Sequence, residues 1–314
     1  MILFYAMLVA ISPAGSGTQI TAPRDSYPHL SPDGTTLVFH SNRNGRQAIW
    51  VSNADGSNPR LLFDDPREGA DPGTPVWSPD GRVIAFGMRP AGATDENESE
   101  IYTMARDGTR LRRLTETPGD DSHPHWSRSG RIYFNSARAT PDLGVPWGRQ
   151  WIDIYSMADD GSDVRRLTEC RSVCTYPVPS PDERFVVHRR TTETLGQNWD
   201  LSPAPRNSEV FVTPLDGGEP VNVSNSPAYD GWPTWSPDGR WVVFASNRDR
   251  VAYTGQIFAV RPDGTETRKL TEGILSRVQP SFSPNGDWIF VYESIEGETF
   301  EIGHIASFAA ELSD

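Results

Sequence analysis

Apolar residues along this chain come in short runs cut by polar phrases rich in Gly, Pro, Ser and Asp, a pattern that predicts many short strands and scarcely any helix. One phrase returns throughout. "PTWSPDGRWVVFASNR" (residues 233–248) has cousins whose turn begins at Ser31, Ser78, Ser127, Ser180, Ser236 and Ser283. In five of the six units an apolar pair follows: Ile49-Trp50, Ile101-Tyr102, Ile154-Tyr155, Val210-Phe211 and Ile257-Phe258. Seven residues after the first member of each pair stands a turn glycine: Gly56, Gly108, Gly161, Gly217 and Gly264. Six further on is an aliphatic residue: Leu62, Leu114, Leu167, Val223 and Leu270. Each unit therefore predicts four strands. Strand A ends at the Trp or Phe before Ser, B is a run such as "WVVF", C reads "IFAV" and D "RKLT". Ser-Pro-Asp-Gly suits a tight A–B turn: Pro presets φ, Ser and Asp bond local backbone, and Gly takes the strained position. Asp-Gly between C and D is a hairpin signal.

Four-stranded units of about 50 residues, repeated six times, predict an all-β fold: a six-bladed β-propeller over residues 17–306. Residues 1–16 precede it and 307–314 form a tail. The sixth unit offers "FEIGHIA" as strand C but no "LT" strand after it. Ile20-Thr21 is expected to supply that outer strand, completing the last blade and hiding sheet edges.

The phrase "WSPDGR…FASNR…IFAV…DG…RKLT" resembles the propeller repeat of the TolB family of periplasmic envelope proteins, over essentially residues 17–306. The resemblance implies a propeller-only member, without the separate α/β domain that precedes the propeller in TolB. It implies a scaffold that is often exported and often protein-binding. The same repeat occurs in propellers attached to peptidases and in oligogalacturonate lyase-like enzymes.

Charge narrows the partners. With 29 Lys and Arg against 42 Asp and Glu, the formal net charge of −13 opposes a polyanion, so no nucleic acid is expected as partner. "MILFYAMLVAI" is too short to span a bilayer as a helix but adequate as the core of a signal peptide, with "SPAGSG" after it suited to cleavage near Ala14. The expected location is periplasmic or secreted, otherwise cytoplasmic, and the protein is expected not to be integral to a membrane and to be a monomer. Cys170 and Cys174 form a small-loop disulfide in an oxidising compartment, or stay as thiols in a reducing one. Two thiols alone are too few for a closed zinc site.

Because strands alternate in direction, A–B and C–D turns share one face, and B–C and D–A loops the other. The second face carries the length variation. From strand B to the strand C pair the spacing is ten (Phe39 to Ile49), fifteen (Phe86 to Ile101), twenty (Phe134 to Ile154), twenty-two (His188 to Val210) and thirteen (Phe244 to Ile257). Function is expected in the long loops of units 2 to 4. Trp147, Trp151 and Trp199 lie there with Arg149, Arg189, Arg190 and Arg206, as anchors for a peptide or stacking platforms for a sugar. The other reading has the tryptophans pinning the loops to the scaffold. Trp77, Trp126 and Trp235 are strand A positions and expected core wedges.

Asp25, Asp121 and Asp230 each precede the strand A proline by three residues, and Asp71 precedes its own by four. Four carboxylates near one axis can hold Ca²⁺ or another divalent cation in the central channel; the alternative is that each caps its own blade. "SHPHWS" sets His123 and His125 two apart on one strand, with His29 at the repeat position of His125, which places all three near the axis for a metal, a base or a structural role. Nucleophilic catalysis finds no Gly-x-Ser-x-Gly elbow. The reading is a non-enzymatic exported propeller that binds a protein or peptide, an envelope component, on the B–C/D–A face. Its rival is a glycan-acting lyase or hydrolase using a divalent cation at the channel mouth.

Overall fold

The computed structural model describes residues 24–67, 69–90, 92–93, 98–294 and 301–306. Five sheets have four antiparallel strands each, paired in chain order. The first blade is Asp25–Leu30, Thr36–Ser41, Ala48–Asn53 and Arg60–Phe63. The second is Gly73–Trp77, Val83–Met88, Glu100–Ala105 and Arg112–Arg113. Asp121–Trp126, Ile132–Ser136, Asp153–Met157 and Arg165–Arg166 make the third. The fourth is Cys174–Pro179, Phe185–Thr192, Asn207–Pro214 and Val221–Asn222. Asp230–Trp235, Val242–Ser246, Gln256–Val260 and Arg268–Lys269 make the fifth.

A two-stranded ribbon, Gly196–Gln197 with Pro203–Ala204, lies in the B–C loop of the fourth blade, and the last sheet has three strands, Ser276–Phe282, Trp288–Ser294 and Glu301–Ala306. The expectation of six four-stranded blades is thereby corrected: the described residues form five. The physical reason is in the repeat itself, since the sixth unit has Ala309 where the other units place their C–D glycine. Ile20-Thr21, expected to close the last blade, lies outside the described residues, as do residues 1–16 and 307–314.

The turn chemistry follows the sequence logic. Ser78 Oγ donates to Asp80 Oδ1 (2.6 Å) and accepts from the Val83 N–H (3.0 Å), while Gly81 takes φ +69° and its N–H closes the turn onto Ser78 O. Between sheets the core is built from facing strands. Val38, Ile49 and Val51 of the first blade pack with Trp77, Ile84, Phe86 and Met104 of the second. Val187, Val210 and Val212 of the fourth pack with Trp235, Phe244 and Phe258 of the fifth. Each such side chain, fully buried, contributes about 1.5–3 kcal/mol. The chain ends meet the same way, with Phe290 of the last sheet packed against Leu30, Leu37 and Phe39 of the first.

Candidate functional site

Every inner strand carries a three-residue phrase centred on proline: Tyr27-Pro28-His29, Thr74-Pro75-Val76, His123-Pro124-His125, Tyr176-Pro177-Val178, Trp232-Pro233-Thr234 and Gln279-Pro280-Ser281. These eighteen residues line one channel cavity of about 90 Å³. Pairing with strand B slips at each phrase, a β-bulge six times over. The residue before each proline is left-handed, at φ 54° (Tyr27), 51° (Thr74), 52° (His123), 59° (Tyr176), 50° (Trp232) and 55° (Gln279). Non-glycine residues reach that region at a cost, and a β-branched Thr at the highest. The bulge puts the pre-proline and post-proline side chains in separate tiers of the channel.

The upper tier, towards the B–C and D–A loops, is aromatic. His123 stands edge-on to Tyr176 with centroids 4.2 Å apart, Tyr27 stacks on Tyr176 at 6.4 Å, and Tyr176 meets Trp232 at 6.1 Å. His40 from strand B closes on Tyr27 at 5.3 Å. Trp232 Nε1 donates to Tyr27 Oη at 3.2 Å. Tyr229 and Trp199 extend the collar outward, each within 6 Å of Trp232. Into this collar projects Arg189, its Nη1 donating to Tyr229 Oη (2.8 Å) and its Cζ over the Tyr176 ring at 5.3 Å. Burial, then the Arg189 charge, holds His123 down to about 3. Burial pushes Tyr27 and Tyr229 up. The mouth is thus an uncharged aromatic ring around one guanidinium.

Beneath it, His29 and His125 face each other at 5.7 Å, in the tier that opens towards the Ser-Pro turns. Burial, and for His29 its neighbour as well, lowers them to about 3 and about 4 respectively. His123 and His125 therefore belong to different tiers, although strand alternation set them on one side.

The four aspartates are not assembled together. Asp25 pairs with Arg43, Asp71 with Arg89 (2.5 Å), Asp121 with Arg138 (2.7 Å) and Asp230 with Arg248 (3.1 Å), each within its own blade. Arg138 and Arg248 also donate through Nε to Ser136 and Ser246 Oγ, and lie over Phe134 and Tyr155 and over Phe244 and Phe258. In the fourth blade Cys174 replaces the aspartate and forms a disulfide with Cys170. Arg190 opposite it donates to Cys170 O (3.2 Å) over the Phe211 ring. Cys170, Cys174 and His188 are the one group among the described residues with metal-ligand spacing, but their sulfurs are joined and His188 Nε2 is bonded to Thr213.

The long loops divide their tryptophans. Trp147, in the 3-10 turn Trp147–Arg149, packs on Ala137, Ile152 and Val173. Trp199 packs on the fifth-blade and last-sheet core, and its carbonyl accepts from the Tyr253 N–H. Trp151 is 36% exposed, Arg149 is exposed, and Arg206 reaches Glu193 at 3.6 Å. Sequence reasoning passed over Tyr27, Tyr176, Tyr229 and Trp232; the signal for three of them was their place immediately before the inner-strand proline.

No protein-family model matches the chain. It is 26% identical over 229 residues to the uncharacterized peptidase YuxL of Bacillus subtilis, covering 70% of this chain and 29% of that protein. It is 24% identical over 260 residues to dipeptidyl-peptidase 5 of Porphyromonas endodontalis, covering 69% and 36%. The chain thus spans about a third of the length of these peptidases. To the uncharacterized protein Atu1656 of Agrobacterium fabrum it is 30% identical over 211 residues, covering 66% and 61%. Among solved structures, a putative TolB from Agrobacterium tumefaciens superposes with TM-score 0.64 at 22% identity, covering 90% of both chains. An oligogalacturonate lyase in complex with manganese superposes with TM-score 0.57 at 14% identity, covering 90% of this chain and 77% of that one. At these identities the structural likeness carries the fold alone: the chain is a β-propeller with TolB among its structural neighbours.

Proposed function

We propose that this chain is a non-enzymatic TolB-like propeller that binds a protein or peptide across the B–C/D–A face. The observation that carries this reading is where its exposed apolar side chains lie. Ile274 (79% exposed), Leu195 (75%), Val251 (53%) and Tyr253 (51%) all sit in loops of that face, in the sector of the fourth and fifth blades beside the aromatic mouth. Other large apolar residues with high exposure, such as Leu61, Leu111 and Val164, lie on or next to the outer strands. Apolar groups gathered at one loop sector, next to aromatic and arginine side chains, have the composition of an interface centre. An envelope component is the partner we favour, in the periplasm or outside the cell, where the Cys170–Cys174 disulfide persists.

The test is a pull-down from envelope extract with wild type and the triple variant Leu195→Asp, Tyr253→Asp, Ile274→Asp. These exposed positions leave folding intact, so the expected result is a partner held by wild type and lost by the variant at unchanged Tm. A partner retained undiminished overturns the assignment of this face.

A further inference from the structure

We propose that Arg189 is the recognition point for a carboxylate carried on a ligand end that enters the channel from the B–C/D–A face; this rests on reading that face as the binding face. Arg189 stands across from Thr175 of the inner strand, and the corresponding strand B positions in the other sheets are His40, Gly87, Asn135, Ala245 and Tyr292. The guanidinium therefore comes from one blade and is no part of the repeating scaffold. At 7% exposure it is the one fully buried arginine among the described residues. Arg43, Arg89, Arg138 and Arg248 each hold a carboxylate, whereas Arg189 forms no ion pair among the described residues. Its single hydrogen bond goes to the neutral phenol of Tyr229, and its Nε is buried with no partner.

A buried charge without a counter-ion is unfavourable, and an arriving anion that hydrogen-bonds to it offsets that cost. Space is kept for the side chain by Gly231, where a Cβ would stand 3.4 Å from Arg189 Cδ and 3.2 Å from Tyr229 Cε1. The charge balance selects a monoanion. Arg277, one residue pair further out at the repeat position of Cys174, is already joined to Glu293 (2.5 Å), and the surrounding Tyr27, His123, Tyr176 and Trp232 add no second cation. A carboxylate fits one guanidinium in a planar two-bond geometry. The cavity of about 90 Å³ admits a chain end and no folded surface. The overall charge of −13 disfavours a polyanion.

The probes are N-acetyl-Ala-Ala-Phe and its C-terminal amide, and galacturonate and its methyl ester, titrated calorimetrically into wild type, R189Q and R189K. One free acid is expected to bind wild type at least about tenfold more tightly than its neutral counterpart. R189Q is expected to abolish that preference and R189K to keep part of it. Which acid binds separates a peptide end from a uronate. Because the charge has no counter-ion to lose, R189Q should not melt below wild type; if it does, R189K keeps the comparison among folded proteins. The proposal is overturned if neither acid binds wild type, if acid and neutral probe bind alike, or if R189Q discriminates as wild type does. The face variant keeps the two readings apart. Partner capture lost with carboxylate preference intact supports both, and partner capture lost without any carboxylate preference in wild type overturns Arg189 alone.

Discussion

At the scale of single residues, the channel is shaped by six pre-proline residues in left-handed backbone. Thr74 is the least suited of them, because its branched Cβ crowds the backbone at φ 51°. Its N–H still donates to His40 Nδ1 at 3.3 Å, a bond glycine would keep. Thr74→Gly is therefore expected to raise stability by about 1 kcal/mol, read by urea unfolding, since left-handed backbone costs an L-residue about that much. The histidines below set a pH dependence. An unfolded imidazole protonates near 6.5, whereas folded His29 does so at about 3 and His125 at about 4. As pH falls the unfolded chain takes up these protons first, so the two side chains withdraw stability from about 6.5 downwards and contribute it in full above that. Asp120 and Glu209, raised by burial to about 7, act oppositely over the same window, so the wild-type curve alone is mixed. The variant His29→Gln, His125→Gln isolates the imidazoles: between pH 7 and pH 4 it should lose less stability than wild type in parallel urea titrations. The three channel histidines were visible in the sequence as near-axis residues. Their division into tiers was not, because it depends on a bulge that strand alternation does not register.

At the scale of elements, the repeat's turn and strand phrases were legible down to the bond: the Ser-Pro-Asp-Gly turns close as their chemistry dictates. The Asp–Arg pairs were half legible. Each aspartate stood out by its offset from the proline, while its partner lay in the phrases Ser41-Asn42-Arg43, Ser136-Ala137-Arg138 and Ser246-Asn247-Arg248, whose spacing has no local meaning until strands A and B are paired. The fourth blade breaks this device. Cys174 takes the aspartate's place directly across from Arg190, whose guanidinium lies over Phe211 much as Arg138 lies over Tyr155. Restoring the carboxylate should substitute for the disulfide. Cys170→Ser with Cys174→Asp is expected to be more stable than Cys170→Ser with Cys174→Ser by roughly 1–3 kcal/mol, the worth of a charge-assisted hydrogen bond at a partly buried site. Urea unfolding of both double variants under identical conditions measures it, and equal midpoints would show that the introduced carboxylate does not pair with Arg190.

At the scale of the whole molecule, the count of four-stranded blades was overestimated because the turn phrase occurs six times while the C–D glycine and outer aliphatic occur only five. A unit that can build strands A to C does not by that fact build D. Besides the packing of Phe290 on Leu30, Leu37 and Phe39, side-chain bonds at the channel tie the first sheet to the last and to the fifth. The Tyr27 N–H donates to Gln279 Oε1 (2.9 Å), and Tyr27 Oη accepts from Trp232 Nε1, contacts spanning 252 and 205 residues. These bonds bear on how the ring unfolds. A repeat array whose units touch only their neighbours loses structure unit by unit, because breaking one interface leaves the rest standing. In a ring every sheet has two neighbours, so freeing one blade breaks two interfaces, and partial unfolding is penalised. Tyr27→Phe removes the phenol that Trp232 bonds and leaves the indole donor unpaired, a cost of about 1–2 kcal/mol. If the sheets unfold as one unit, far-UV dichroism and tryptophan fluorescence should shift together to a lower urea midpoint in this variant and stay superimposable, as in wild type. If instead each blade keeps its own stability, fluorescence, weighted to the tryptophans around the channel, should move while dichroism lags behind. Separated curves would show that the sheets bonded through the Tyr27 phenol touch without coupling, and that the channel mouth can open while the outer strands persist.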